Sequence, residues 1–177
     1  MITRDDLIMR MTSDMWSDVI DTNLSGAFYA LKAVTRPMLK ARSGRVINIT
    51  SVSGQAGQMG QANYSSGKMG VVGLTQTIAK EWGQFKVNVN AVAFGFVDTR
   101  LTQAKDDENQ MEIDGEKVQL GIPEQMRGMA SMMIPIGRPA TPEEAAGGVF
   151  FLCSPWSNYV HGQVLNVTGG LFGGMRG

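Results

Sequence analysis

At 177 residues the chain falls in the size range of one domain and is long enough to bury a substantial core. Its 16 basic and 16 acidic residues cancel, and the Lys and Arg are scattered rather than gathered into a stripe, which argues against a nucleic-acid surface. No apolar run reaches the roughly 18 residues of a membrane span, and with one cysteine no intrachain disulfide can form. The amino terminus, Met1-Ile-Thr-Arg-Asp-Asp6, carries neither a signal-peptide hydrophobic region nor an Arg-rich transit segment. A cytoplasmic protein with neither membrane nor nucleic-acid partners is expected.

In chain order, Thr12 or Ser13 is placed to cap an amphipathic helix. Its apolar positions Trp16, Val19, Ile20, Leu24, Ala27, Phe28, Leu31 and Val34 recur at three- and four-residue steps, and Ser43-Gly44 ends it. A β-branched run over 45–51 then predicts a strand that enters a Gly- and Ser-rich loop. The helical period returns from about Asn63 to Trp82, anchored by Val71, Leu74, Ile78 and Trp82. Gly67, Gly70 and Gly73 lie within it, each costing about 1 kcal/mol against alanine, so close packing on their face is expected to offset them.

Residues 87–93 predict a second strand and 163–168 a third. Between these two, Thr141-Pro-Glu-Glu144 predicts a capped helix running to about Leu152. Cys153, at the end of the apolar run 148–153, reads as a small buried hydrophobe. Residues 99–135 show no sustained helical period, are rich in methionine (Met111, Met126, Met129, Met132, Met133) and contain an expected Asp114-Gly115 hairpin turn. They read as a lid inserted between the second strand and the last helix. Strands alternating with helices of these lengths imply right-handed crossovers and a parallel sheet, so the class is α/β and the whole chain, 1–177, one domain.

The chemistry concentrates at Tyr64-Ser-Ser-Gly-Lys68. Residues four apart share a helical face, so the Lys68 ammonium can approach the Tyr64 phenol, favour the phenolate and make a tuned acid/base. The spacing alone is weak, because solvated helices produce it often. Ser51, thirteen residues upstream at the carboxyl end of the predicted first strand, lies where open parallel sheets bind ligands, and its hydroxyl can hold a carbonyl oxygen beside the phenol. Asn23, next to the apolar Leu24, is either a satisfied structural amide or part of a polar relay.

These residues resemble the short-chain dehydrogenases/reductases, and within that family most closely the 3-oxoacyl-(acyl-carrier-protein) reductases of fatty acid biosynthesis. The likeness runs through Asp21-Thr-Asn-Leu24, Gly44-Arg-Val-Ile-Asn-Ile-Thr-Ser51, Gln61-Ala-Asn-Tyr-Ser-Ser-Gly-Lys68, Val89-Asn-Ala-Val-Ala93 and Gly162-Gln-Val-Leu-Asn-Val-Thr-Gly-Gly170. It implies a partial doubly wound, Rossmann-like parallel sheet with helices on both faces, lacking the first strands and keeping the last three of seven. It further implies reduction of a ketone, in the first place a 3-oxoacyl thioester, to a secondary alcohol with NADP or NAD, in a homo-oligomer. In that reading Tyr64 donates the proton and Ser51 orients the carbonyl oxygen. Lys68 binds the nicotinamide ribose and lowers the Tyr64 pKa, while Asn23 supports a water chain. Gly95, Val97 and Thr99 match positions that line the nicotinamide, with Tyr64 and Lys68.

Two departures stand out. Phe94-Gly95 replaces the family's Pro-Gly, leaving a less rigid loop with a bulky ring. No G-x-G-x-x-G occurs: Gly54-Gln-Ala-Gly57-Gln-Met-Gly60 has the wrong spacing, and the glycines of 169–177 follow a strand without opening a helix. The chain starts where relatives have just completed a fourth strand, so binding of NAD(P) by this chain alone is not expected, and a free edge along 46–49 is expected to be covered by association. The alternative reading is a catalytically inactive truncated subunit acting through oligomerisation, with the helices around Leu24 and Leu74 as its surface. A serine hydrolase is excluded because no G-x-S-x-G occurs and the only histidine, His161, reads as a packing or surface residue in a turn. A metal site lacks His and Cys ligands, and Asp106, Asp107 and Glu108 read as a solvated loop.

Overall fold

The computed structural model describes residues 2–100, 102, 110–113, 116–119, 121–122 and 124–171. Asp106, Asp107, Glu108 and the expected Asp114-Gly115 turn lie outside them. Two compact units form: Met1–Ala93 with Gly148–Asn166, and Phe94–Gly147 with Val167–Gly177.

In the first unit, α1 (Ser13–Ile20) is capped by Thr12, whose hydroxyl accepts from the Met15 amide at 3.2 Å. The single helix expected from the periodicity is interrupted by a π segment, Asp21–Ser25, in which the Gly26 amide reaches back to the Asp21 carbonyl, before α2 (Gly26–Ala41) continues. The helix stops at Arg42 rather than at Ser43-Gly44. Arg42 adopts φ +50°, its amide turns onto the Leu39 carbonyl, and its guanidinium holds the Gln84 carbonyl at 3.0 Å.

Strands β1 (Gly44–Ser51), β2 (Val87–Phe94) and β5 (Val164–Val167) form a parallel sheet in the order β1-β2-β5. The Gly162 amide meets the Val89 carbonyl and the Ala91 amide the Gln163 carbonyl, both at 2.8 Å, and both strands advance together as a parallel pair requires. β2 is central and its Val87, Val89, Ala91, Val92 and Ala93 are buried. β1 is an edge strand whose Ile49 is 40% exposed.

Where a Gly-rich loop was expected after β1, a short helix α3 (Val52–Ala56) forms, because the Ser51 hydroxyl accepts from the Ser53 amide at 3.2 Å and caps it. Helix α4 (Ala62–Trp82) buries Tyr64, Lys68, Val71, Val72, Thr75, Ala79 and Trp82. Ala79 and Trp82 close over Leu31, Val87 and Val89 to make the core, with Val34, Met38, Leu74 and Ile78 packed at its margin. Polar side chains pin α4 to β1: Asn48 donates to the Thr75 hydroxyl at 2.8 Å, and the Thr50 hydroxyl donates to the Lys68 carbonyl at 2.7 Å. On β2 the buried Asn90 donates to the Val160 carbonyl at 2.8 Å and accepts from the Gln163 amide at 3.0 Å.

His161 is a packing residue. Its Nδ1 accepts from the Val89 amide at 3.2 Å, which leaves Nε2 to carry the proton and donate to the Ala79 carbonyl at 2.7 Å. Cys153, expected to be buried, is exposed. In α6 (Pro142–Cys153) the helical period turns Ala145 and Leu152 inward, while Phe150 and Cys153 of the same apolar run face out. On the helices expected to form an association surface, Leu24 abuts Gly70 and Leu74 joins the core margin.

In the second unit, β3 (Gln110–Ile113) and β4 (Glu116–Gln119) pair antiparallel with Ile113 opposite Glu116. Where no sustained helical period was expected, α5 (Glu124–Met133) forms over Met126, Met129, Ala130 and Met133. These recur at three- and four-residue steps, a pattern that Gly128 and the shortness of the segment obscured. Thr141 and Glu144 make the expected capping box, the Glu144 amide donating to Thr141 Oγ1 at 3.2 Å and the Thr141 amide to Glu144 Oε2 at 2.9 Å. Arg138 and the backbone amide of Thr141 hold the Glu144 carboxyl down at about 2. Among the described residues no helix is long and apolar enough to cross a membrane.

The glycines of α4 meet different neighbours. A Cβ on Gly70 would lie 2.7 Å from Leu24 Cδ2, one on Gly67 would make ordinary contact with Ile20 and Asn23, and one on Gly73 would meet open space. Close packing therefore accounts for Gly70, and nothing in the structure explains Gly73. Against this stands Gly54 of α3, where a Cβ would come within 3.0 Å of backbone atoms of Lys68 and Met69. Gly73→Ala is expected to stabilise the fold by about 0.5–1 kcal/mol through helix propensity. Gly54→Ala is expected to cost about 1–3 kcal/mol through overpacking. Denaturant unfolding of both variants checks the contrast, and equal signs would refute it.

Candidate active site

The carboxyl end of β1 delivers Ser51, and the first two turns of α4 deliver Tyr64 and Lys68. The geometry that joins them starts from the backbone. Gly54 lets α3 lie against the Lys68 backbone, while Thr50 bonds the Lys68 carbonyl, so β1, α3 and α4 are locked at one point. Ser51 Oγ accepts from the Ser53 amide, which leaves its own proton to be shared with the Tyr64 phenol, and these two hydroxyls are hydrogen-bonded.

The Lys68 Nζ lies 5.7 Å from the centre of the Tyr64 ring and donates to the Ile49 carbonyl at 3.0 Å. Both side chains belong to buried residues, Tyr64 being 7% and Lys68 4% exposed. Burial pushes the Tyr64 phenol above its ordinary range, the Ser51 hydrogen bond works against that, and the Asp5 carboxylate adds to it. Burial pulls the Lys68 ammonium below its ordinary range. Desolvation thus sets the direction for both groups, the phenol upward and the ammonium downward.

Asn23, in the π segment, is 6% exposed and spends its amide on the backbone of Ile2. It accepts from the Ile2 amide at 3.2 Å and donates to the Ile2 carbonyl at 2.8 Å. It also lies beside the first turns of α4, 3.8 Å from where a Gly67 Cβ would stand. Asn23, Ser51, Tyr64 and Lys68 therefore all belong to the first unit. Gly95, Val97 and Thr99 belong to the second.

There, the Gly95 amide donates to the Val167 carbonyl at 2.9 Å, and a Cβ on Gly95 would come within 2.9 Å of Thr168 Cα, so only glycine fits. Val97 bridges Ala140, and the Thr99 amide donates to Thr102 Oγ1 at 2.9 Å. Arg127 pairs with Asp98 at 3.0 Å. Phe94, in place of a proline, ends β2.

Sequence reasoning passed over Gly54, Thr50 and Gln61. Gly54 was readable only as one of several loop glycines, and Thr50 as one more β-branched strand residue. Gln61 Nε2 donates to Asp5 Oδ2 at 2.8 Å across 56 residues of sequence, and no local pattern signals such a contact.

The family model described as enoyl-(acyl carrier protein) reductase matches residues 2–172. The chain is 42% identical over 170 residues to the 3-oxoacyl-(acyl-carrier-protein) reductase of Chlamydia muridarum, covering 96% of this chain and 62% of that protein. It is 42% identical to that of Vibrio cholerae, covering 97% and 63%, and 44% identical to that of Synechocystis, covering 96% and 61%. The chain thus spans less than two thirds of the length of these relatives. With a match along nearly its whole length and a parallel α/β sheet, the chain belongs to the short-chain dehydrogenase/reductase family.

Proposed function

We propose that the protein represented by this chain reduces a 3-oxoacyl thioester to the secondary alcohol, with Tyr64 as proton donor. The hydrogen-bonded Ser51 and Tyr64 beside Lys68, at the carboxyl end of a parallel strand, are the observation that carries this reading. The names of the relatives supply the substrate class.

Ser51 orients the substrate carbonyl oxygen next to the phenol. Burial keeps Tyr64 protonated at neutral pH, so its proton is present to pass to that oxygen as negative charge develops there. Lys68 spends one N–H on the Ile49 carbonyl and has two more for ribose hydroxyls. Asn23 fixes the π segment against Ile2 behind the first turns of α4.

Within the first unit, the buried Tyr64 and Lys68 fit the ribose of the nicotinamide half of an NADP or NAD cofactor, Lys68 offering the donors; that Gly95, Val97 and Thr99 line the nicotinamide rests on the family likeness of their positions. A bound nicotinamide supplies the hydride that the carbonyl carbon receives. Residues 99–135 are assigned as the substrate lid, on the flexible apolar surface of Met129, Met132 and Met133 along α5. Homo-oligomerisation is part of the same proposal, supported by exposed Phe28, Tyr29 and Met69 and by the edge strand β1.

In a version of the protein completed with a nucleotide-binding half, Tyr64→Phe is expected to lower ketone reduction by well over about tenfold with an unchanged circular dichroism spectrum. A variant within about tenfold of its parent would remove Tyr64 from the role. Lys68→Met should lower kcat and weaken cofactor binding together, and loss of one alone would refute the dual role. The chain by itself is expected to show no saturable NADPH or NADH binding in the low micromolar range. The backbone amides that hold pyrophosphate in a Rossmann site have no counterpart in its sequence. Fluorescence titration measures this directly, and saturable binding in that range would refute the expectation.

A further inference from the structure

Three polar ties run between α4 and the sheet. Thr50 holds the Lys68 carbonyl and Asn48 the Thr75 hydroxyl, both through groups that do not titrate. The third tie, in the last turn of the helix, is the imidazole of His161.

His161 stands where the ladder between β2 and β5 begins. The Ala91 amide meets the Gln163 carbonyl, so the parallel register would bring the Val89 amide to the carbonyl of residue 161. That carbonyl accepts instead from Gln163 Nε2 at 3.1 Å, and His161 Nδ1 takes its place, accepting from the Val89 amide at 3.2 Å. Val89 is 0% exposed, so its amide has no water to turn to. On the other side of the ring, Nε2 donates to the Ala79 carbonyl at 2.7 Å. A Cβ on Gly83 would lie 3.0 Å from Nε2, so the ring is closed in there.

Both bonds together require the neutral ring with its proton on Nε2. A proton added to Nδ1 would set two N–H donors face to face and leave the buried Val89 amide without an acceptor. The groups around the ring offer an imidazolium no counterion. Two hollows flank it: Lys80 of α4 lines one, and Lys86 of the turn before β2 lines the other with Tyr159 of the ring's own turn. Among the described residues no carboxylate lines either hollow, Glu81 of α4 included.

We infer that His161 is a proton-operated clamp between α4 and β2: neutral, it makes both bonds; protonated, it releases Val89 and frees the last turn of α4 from the strand. The inference concerns the fold and does not rest on the proposed reaction. The release is local, because Asn88 and Asn90 hold the neighbouring Val160 carbonyl through amides that do not titrate.

The chain has one histidine, so the test follows a single imidazole. An unfolded chain takes a proton onto histidine near about pH 6.5 and the closed clamp excludes it, so the clamp's contribution is complete above that value and is lost as the pH falls. Denaturant unfolding is measured at about pH 7.5 and about pH 5.5, above the range in which carboxyl groups of an unfolded chain take up protons. The unfolding constant of the parent is expected to rise about tenfold between the two. His161→Gln keeps one acceptor and one donor without a titrating group, and its unfolding constant should not follow. A parent equally stable at both pH values, or a variant that loses as much as the parent, overturns the inference. Nitrogen-15 resonances of the ring and of the Val89 amide test it without a variant. They should show the Nε2–H tautomer at the higher pH, and a proton reaching Nδ1 on acidification should shift the Val89 amide in step. An Nδ1–H tautomer at the higher pH, or a protonated ring with the Val89 amide unmoved, overturns the inference even if His161→Gln does not fold.

Discussion

Everything in the candidate site depends on how closely β1, α3 and α4 meet at the backbone of Lys68. The Thr50 hydroxyl bonds the Lys68 carbonyl from one side, and the bare Cα of Gly54 presses on Lys68 and Met69 from another. A side chain in that gap would push α3 away from α4. Ser51 and Tyr64 sit on opposite sides of the gap, and a hydrogen bond between them tolerates only a few tenths of an ångström of displacement. The buried Asn48–Thr75 pair extends the same attachment about two turns further along α4, so the helix is held in register as well as at one point.

Burial of this junction sets the electrostatics. Tyr64 and Lys68 lie in one desolvated pocket, and each is driven toward its neutral form, the phenol upward and the ammonium downward. A spacing rule that considers only the attraction between two charges predicts the opposite sign for the phenol. What it omits is the cost of taking both groups out of water.

The π segment and His161 show tertiary contacts deciding local structure. The extra residue at Asp21–Ser25 rotates the helix by part of a turn, so that Asn23 faces Ile2 and Leu24 faces Gly70. His161 links the carbonyl of Ala79 on α4 with the amide of Val89 on β2, a neutral imidazole used as a two-ended hydrogen-bond bridge. Neither feature has a sequence pattern of its own, because the partners lie far away along the chain.

The alternation of strands and helices, the capping box at Thr141 and Glu144, the cap at Thr12 and the placing of Ser51 at a strand end were legible from the sequence. Each rests on the period of side chains along a backbone or on contacts within four residues, and such signals are local. Cys153 and the helix over Glu124–Met133 were misread for the converse reason: an apolar run says which residues avoid water but not which side of a helix finds the core, and methionines around a glycine hide a short helical period. The family likeness and the Tyr64–Lys68 spacing could be read from residue identities alone. That Asn23 binds Ile2, that Gln61 holds Asp5, and that burial raises the phenol were decided only by tertiary structure, since each depends on groups far apart in sequence that the fold brings together.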